Sequence, residues 1–122
     1  NAIFARGKVD EYAENQREFV KRAAFVLMCQ FAVHDKKQPD DFFYLLLKII
    51  EREAWDERNF VRKAVNWALR QIGKRNENLR CEAIETAERI LKQNTKSARW
   101  IATDALRELY DEKTISRIQK KR

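Results

Sequence analysis

Turn-forming residues are almost missing from this chain. Glycine occurs twice and proline once in 122 residues. Tight hairpins draw on glycine's positive φ and proline's fixed φ, so a strand-rich fold would need more of both. Cysteine also occurs only twice, as Cys29 and Cys81. Neither spacing suits a metal site or a disulfide framework. Both are expected as free thiols in a reducing, cytoplasmic setting. There is no Gly-rich loop and no metal-ligand cluster, so no cofactor and no metal are expected. The single histidine, His34, has no serine or cysteine partner at a recognisable spacing and reads as a helix-end residue. No apolar run approaches 18 residues, so no membrane span is expected.

What is present is charge, with positive charge in excess. Charged residues make up 37% of the chain, and the formal net charge is +7. That balance favours nucleic acid or another anionic surface. The composition is close to the Ala/Glu/Lys/Leu/Arg signature of helical proteins. At this length the chain, residues 1–122, is read as a single all-α domain able to bury roughly two-thirds of its unfolded surface. The first residues, Asn1 to Lys8, read as the tail of an earlier helix, which suggests the C-terminal fragment of a longer helical-repeat protein.

The sequence repeats itself. Phe19-Val20-Lys21-Arg22-Ala23-Ala24 is echoed by Phe60-Val61-Arg62-Lys63-Ala64-Val65, 41 residues later. A weaker third copy, Ile101-Ala102-Thr103-Asp104-Ala105-Leu106, follows at the same step. Ala23, Ala64 and Ala105 fall in register, small enough to let neighbouring helices approach closely. A period of about 41 residues matches HEAT-like or armadillo-sized solenoids, αα-superhelices of stacked antiparallel helix pairs. Six helices are expected. The first, from about Gln16 to His34, is apolar almost all round and belongs inside a stack. Pro39, Asp40 and Asp41 open the second, where a missing N–H costs nothing and acids suit the positive helix end. Phe42-Phe43-Tyr44 reads as core. Asp56, helped by Asn59, is the expected cap of the third. Leu79 to Gln93 forms the fourth, Ala98 to Leu109 the fifth, and Asp111 begins a short sixth.

The segment Asp56 to Asn76 has two faces. On a helical wheel with about 100° per residue, Val61, Ala64, Val65, Ala68, Leu69 and Ile72 share one broad apolar arc. Lys63, Trp67, Arg70 and Lys74 fall on a second, narrower arc, at spacings that stack their side chains along one ridge. A row of cations around an indole, with no acid mixed in, suits the lining of a groove that meets an anionic polymer. The plainer alternative is a core Trp67 flanked by solvated lysines. Arg99, beside a packing residue at Trp100, is a further candidate phosphate contact.

Three phrases together resemble the DNA alkylation repair enzyme family, the AlkD-like DNA glycosylases built of HEAT-like repeats. They are Glu18-Phe19-Val20-Lys21-Arg22-Ala23-Ala24, the stretch Asn59 to Asn76, and the stretch Ser97 to Leu109. The resemblance covers roughly Tyr12 to Tyr110. It implies a curved helical stack holding duplex DNA in a basic cleft. It also implies hydrolysis of the N-glycosidic bond of a cationic alkylated purine. At the family's Lys-Arg-Ala-Ala phrase it makes Arg22 a contact to the DNA backbone beside the lesion. At its Lys-Ala-x-x-Trp phrase it places Trp67 on the cleft wall. The family's catalytic carboxylate lies in a Trp-Asp-x-x-Asp segment upstream of the first phrase, beyond the start of this sequence. Trp55-Asp56 lacks the second Asp and falls in the wrong repeat. No catalytic residue is therefore expected here, and the chain alone is expected to be inactive.

The expected partner is duplex DNA, met through phosphates by Arg22, Lys63, Arg70, Lys74 and Arg99, with Trp67 beside them and the protein a monomer. The alternative is a non-catalytic helical scaffold for nucleic acid or an acidic protein. At the ridge register the fifth helix carries Asp104, Glu108 and Asp111. Either DNA leaves the surface there, or Asp104 pairs with Lys63 or Arg70.

Overall fold

The computed structural model of the chain describes residues 2–121. Among them are seven α-helices and no strand. They are α1 (Ala2–Ala13), α2 (Glu18–His34), α3 (Asp40–Glu53), α4 (Asn59–Gly73), α5 (Glu77–Leu91), α6 (Lys96–Leu109) and α7 (Glu112–Lys120). The fold is all-α, as the scarcity of turn residues requires. The helix tail expected over Asn1 to Lys8 belongs to a longer helix, α1, that runs on to Ala13; this accounts for seven helices where six were expected. Asn1 itself lies outside the described residues.

Helices α2, α4 and α6 pack side by side in a row, and α3 packs on α5 behind them. Helix α1 leans on α2 and α3, and α7 touches α5 and α6. Phe25, Met28, Phe43, Leu46, Leu69 and Ile101 are fully enclosed between the layers. Of the in-register alanines, Ala64 and Ala105 are buried and Ala23 is half-buried.

Successive units are tied by hydrogen bonds that span one repeat. Arg52 donates to Asp10 at 2.9 Å, Arg58 to the Gln16 carbonyl at 2.6 Å, and the Ser97 hydroxyl to the Asp56 carbonyl at 2.8 Å. These pairs lie 41 or 42 residues apart. The helix starts follow two patterns. Asn76, Thr95 and Asp111 cap α5, α6 and α7 through their own side chains. Helix α4 has no such cap: Arg58 stands at its N-cap, so the expected role of Asp56 and Asn59 does not hold. Its free N–H at Phe60 donates instead to Glu18 Oε2 at 3.1 Å. The Ser97 N–H donates likewise to Glu57 Oε1 at 3.1 Å. An acid from the preceding unit thus meets the positive end of each of these helices.

Asp56 is turned inward because a buried cation holds it. Lys21 of α2 is 3% exposed. Its Nζ lies 2.8 Å from Glu53 Oε1, 3.0 Å from Asp56 Oδ2 and 4.4 Å from the centroid of the Trp55 ring. Arg52 binds the other oxygen of Glu53 at 2.7 Å, and Arg58 reaches Asp56 Oδ2 at 2.8 Å. Burial pushes the Asp56 carboxyl up, but the hydrogen bonds from Arg58 and Lys21 outweigh it and hold the group at about 2. Removing charges from water costs several kcal/mol per ion, which only this full pairing offsets.

Gly73 closes α4 where no side chain fits. A Cβ there would stand 2.5 Å from Leu109 Cδ2 and 2.9 Å from Ala83 Cβ, and the latter cannot move without shifting α5.

Two outcomes are expected in denaturant titrations. Lys21→Met should lower stability by about 3–5 kcal/mol, because it leaves two buried carboxylates short of a partner. Gly73→Ala should destabilise by about 1–3 kcal/mol through overpacking, outweighing the gain of about 1 kcal/mol in helix propensity.

Candidate nucleic-acid interface

The repeat sets the surface of the α2–α4 row. One residue beyond each inward-facing Lys21 and Arg62, the helix has turned about 100°, so Arg22 and Lys63 point out. Both are exposed, and among the described residues neither has an ion-pair partner. Together with Val26, Phe60, Ala64 and Trp67 they line a groove of about 290 Å³ between α2 and α4. The Trp67 indole is 39% exposed, so it forms part of the groove wall and is not sealed in the core.

An aromatic pair extends that wall. Phe19 and Phe60 are 64% and 47% exposed, with ring centroids 5.3 Å apart and planes at 40°. Phe19 carries no role in the sequence reading. The signal was there in the repeat, since Phe19 and Phe60 hold equivalent positions three residues before Arg22 and Lys63.

The other ridge cations have different partners. Arg70 donates to Asn66 Oδ1 at 2.9 Å and to Glu108 Oε1 at 3.2 Å, and lies 3.7 Å from Asp104. Lys74 lies 3.3 Å from the same Glu108 oxygen. Of the two alternatives for the acidic stretch of α6, pairing of Asp104 with Arg70 is therefore the one observed. Burial pushes the Glu108 carboxyl up, but Lys74 and Arg70 outweigh it and hold it below the usual glutamate range. Asn66 completes the link to α6 by donating to the Ile101 carbonyl at 3.1 Å. The structure thus brings Arg22, Lys63 and Trp67 together, and ties Arg70 and Lys74 to α6.

Arg99 stands apart from the groove, exposed at the start of α6. Its guanidinium donates to Asn94 at 2.9 Å, and Asn94 sits in the left-handed region with φ 60°. Trp100 packs under the Arg62 guanidinium, 4.7 Å from ring centroid to Cζ. His34 is exposed at the end of α2. Cys29 is buried and its thiol is pushed up to about 12 by burial, so it is no nucleophile at neutral pH. Asp56, 2% exposed and held by Lys21 and Arg58, has no free lone pair facing solvent to act on a substrate. Among the described residues there is no group of three or more side chains able to hold a metal ion, and no helix long and apolar enough to cross a membrane.

The model of one protein family, DNA alkylation repair enzyme, matches residues 4–119. The chain belongs to the DNA alkylation repair enzyme family. Searches of the curated proteins and of the solved structures find no match. Membership in the DNA alkylation repair family gives the exposed cations a context in DNA repair.

The Glu108 link carries a pH dependence of known sign. Its folded value is depressed, so its contribution is fully present above the ordinary 4.5 and is lost as pH falls below that through the depressed value. In acid unfolding followed by circular dichroism, Glu108→Gln should flatten the loss of stability below pH 4.5 relative to the parent chain. An unchanged acid limb would mean that the link to Arg70 and Lys74 contributes nothing.

Proposed function

We propose that the α2–α4 groove grips duplex DNA by its phosphates during removal of cationic alkylated purines by N-glycosidic bond hydrolysis. Arg22 and Lys63 contact the backbone, and Trp67 lies against the deoxyribose or the lesion. The observation that carries this reading is the meeting of two unpaired cations and an exposed indole in one groove, on a member of the DNA alkylation repair family. A phosphodiester is held by charge-assisted hydrogen bonds, and an indole offers an apolar face to a sugar or base. Arg70 and Lys74 act from behind: Glu108 spends part of their charge and orients them, so their phosphate contacts are weaker than the sequence pattern implies.

An alkylated purine is already a good leaving group, so excision needs mainly a carboxylate to stabilise the developing positive sugar and position a water. No carboxylate lines the groove. The reading therefore gives this chain the gripping surface and assigns it no catalytic residue. Contacts to phosphate position a protein without reading sequence, so little base preference accompanies the grip.

Duplex binding measured by fluorescence anisotropy over a range of salt tests this. Log affinity should fall linearly with log salt. Arg22→Gln/Lys63→Gln should flatten that slope by about 1.8, the release of counterions from two phosphates. If the slope does not change, the groove is not the DNA contact. A surface that instead bound an acidic protein through the same cations would be the scaffold alternative.

A further inference from the structure

A second cavity is roomier than the groove: a space of about 620 Å³ between the C-terminal ends of α2 and α4 and the helix α7. Lys36, Lys74, Arg75, Arg117 and Lys121 line it, with no aspartate or glutamate among its lining residues. By contrast, the neighbouring depression beside Arg70 mixes arginines with Asp104, Glu108 and Asp111.

The cavity is held in shape by its own cations. The Arg75 guanidinium donates to the carbonyls of Ala32 and Gln38, each at 3.0 Å, and lies 4.4 Å from the Phe43 ring centroid. Lys121 Nζ donates to the Lys74 carbonyl at 3.3 Å. The Ala32 and Lys74 carbonyls are left over at the C-terminal ends of α2 and α4 and carry partial negative charge, and the Gln38 carbonyl lies in the turn before α3. These bonds fix the walls; Lys74 is met by Glu108 and Arg75 lies near Asp35 and Asp40, so the uncancelled charge is that of Lys36, Arg117 and Lys121. Lys36 and Arg117 face the same space, and among the described residues neither has an ion-pair partner. The crowding is felt: burial, then Lys36, Lys74 and Arg75, lower the Lys121 ammonium from its ordinary value.

Like charges gathered around a roomy, solvent-open space repel one another, and a multivalent anion relieves that repulsion better than a single carboxylate. The Thr114 hydroxyl on the wall supplies a further hydrogen-bonding group, whereas the Asn76 side chain is taken up by the Leu79 N–H and by Asp40. Tetrahedral oxyanions with several acceptor oxygens match that set.

We propose that this cavity is a second anion site, holding a phosphoryl group between Lys36, Arg117 and Lys121. The phosphoryl group comes either from the backbone of DNA that extends past the groove or from a free phosphate compound. The first source rests on the DNA-gripping reading above, and the second does not.

Titration calorimetry with pyrophosphate at low ionic strength tests the site itself. Saturable binding is expected. Lys36→Gln/Arg117→Gln should weaken it by at least about tenfold, the loss of charge-assisted hydrogen bonds, while Arg22→Gln/Lys63→Gln should change it by less than about twofold. Neither pair holds another part of the fold by an ion pair, and circular dichroism verifies folding of each variant. Absence of saturable binding, or equal weakening by both pairs, would overturn the proposal, because it would mean only diffuse attraction to net charge.

The source is read from duplex DNA. A salt slope flattened by about 1 to 2 in Lys36→Gln/Arg117→Gln assigns the site to the DNA backbone. Retained pyrophosphate binding with an unchanged slope assigns it to a free phosphate compound. The groove reading stands or falls separately, on the slope of Arg22→Gln/Lys63→Gln.

Discussion

A single buried ammonium sets the geometry on which the rest of this molecule depends. Lys21 cannot be moved into solvent without abandoning Glu53 and Asp56, and those carboxylates cannot turn away without abandoning Lys21. The group joins α2 to the end of α3 and to the turn entering α4. It therefore fixes how far α2 is rotated about its own axis. Arg22 follows directly, so its outward direction is a consequence of Lys21 pointing in. The next unit repeats the device in altered form: Arg62 lies over Trp100, with its Nε buried and lacking a hydrogen-bond partner, and Lys63 points out. One cationic dipeptide thus serves packing and surface at once.

Electrostatics then divide the surface into three regions. Between α2 and α4 the cations are unpaired and lie next to aromatic rings. Between α4 and α6 they are met by Asp104 and Glu108. At the C-terminal edge Lys36, Arg117 and Lys121 gather around the cavity beside α7, and among the described residues none of the three has an ion-pair partner. The first and last regions are the two surfaces that our proposals assign to phosphate, and the acids between tie α4 to α6. The division is compatible with membership in the DNA alkylation repair enzyme family. Net charge alone would have described the whole surface as basic.

Much of this was legible in the residues. The scarcity of glycine and proline, the Ala-rich periodic stretches and the 41-residue echo dictate an all-α chain of similar units. Those features are local, and helical periodicity expresses them wherever the chain folds. The resemblance carried by the phrases around Arg22, Lys63 and Trp67 agrees with the family that matches nearly the whole chain. The pairing of Arg70 with Asp104 was legible only as one of two alternatives, because registry between helices is not written in either helix alone.

The sequence by itself determined which residues share a helix face, because about 100° per residue follows from backbone geometry. That was enough to put Lys63, Trp67, Arg70 and Lys74 on one ridge. Only the tertiary structure decided which of them stay free, since that depends on a neighbouring helix supplying Glu108. It also moved Asp56 from a helix cap to the partner of a buried lysine, and gave the capping of α4 to Glu18. It gathered Lys36, Lys74, Arg75, Arg117 and Lys121 around one cavity. The reason is the same in each case: ion pairs and cavities are made between segments distant along the chain, and spacing within a segment carries no record of them.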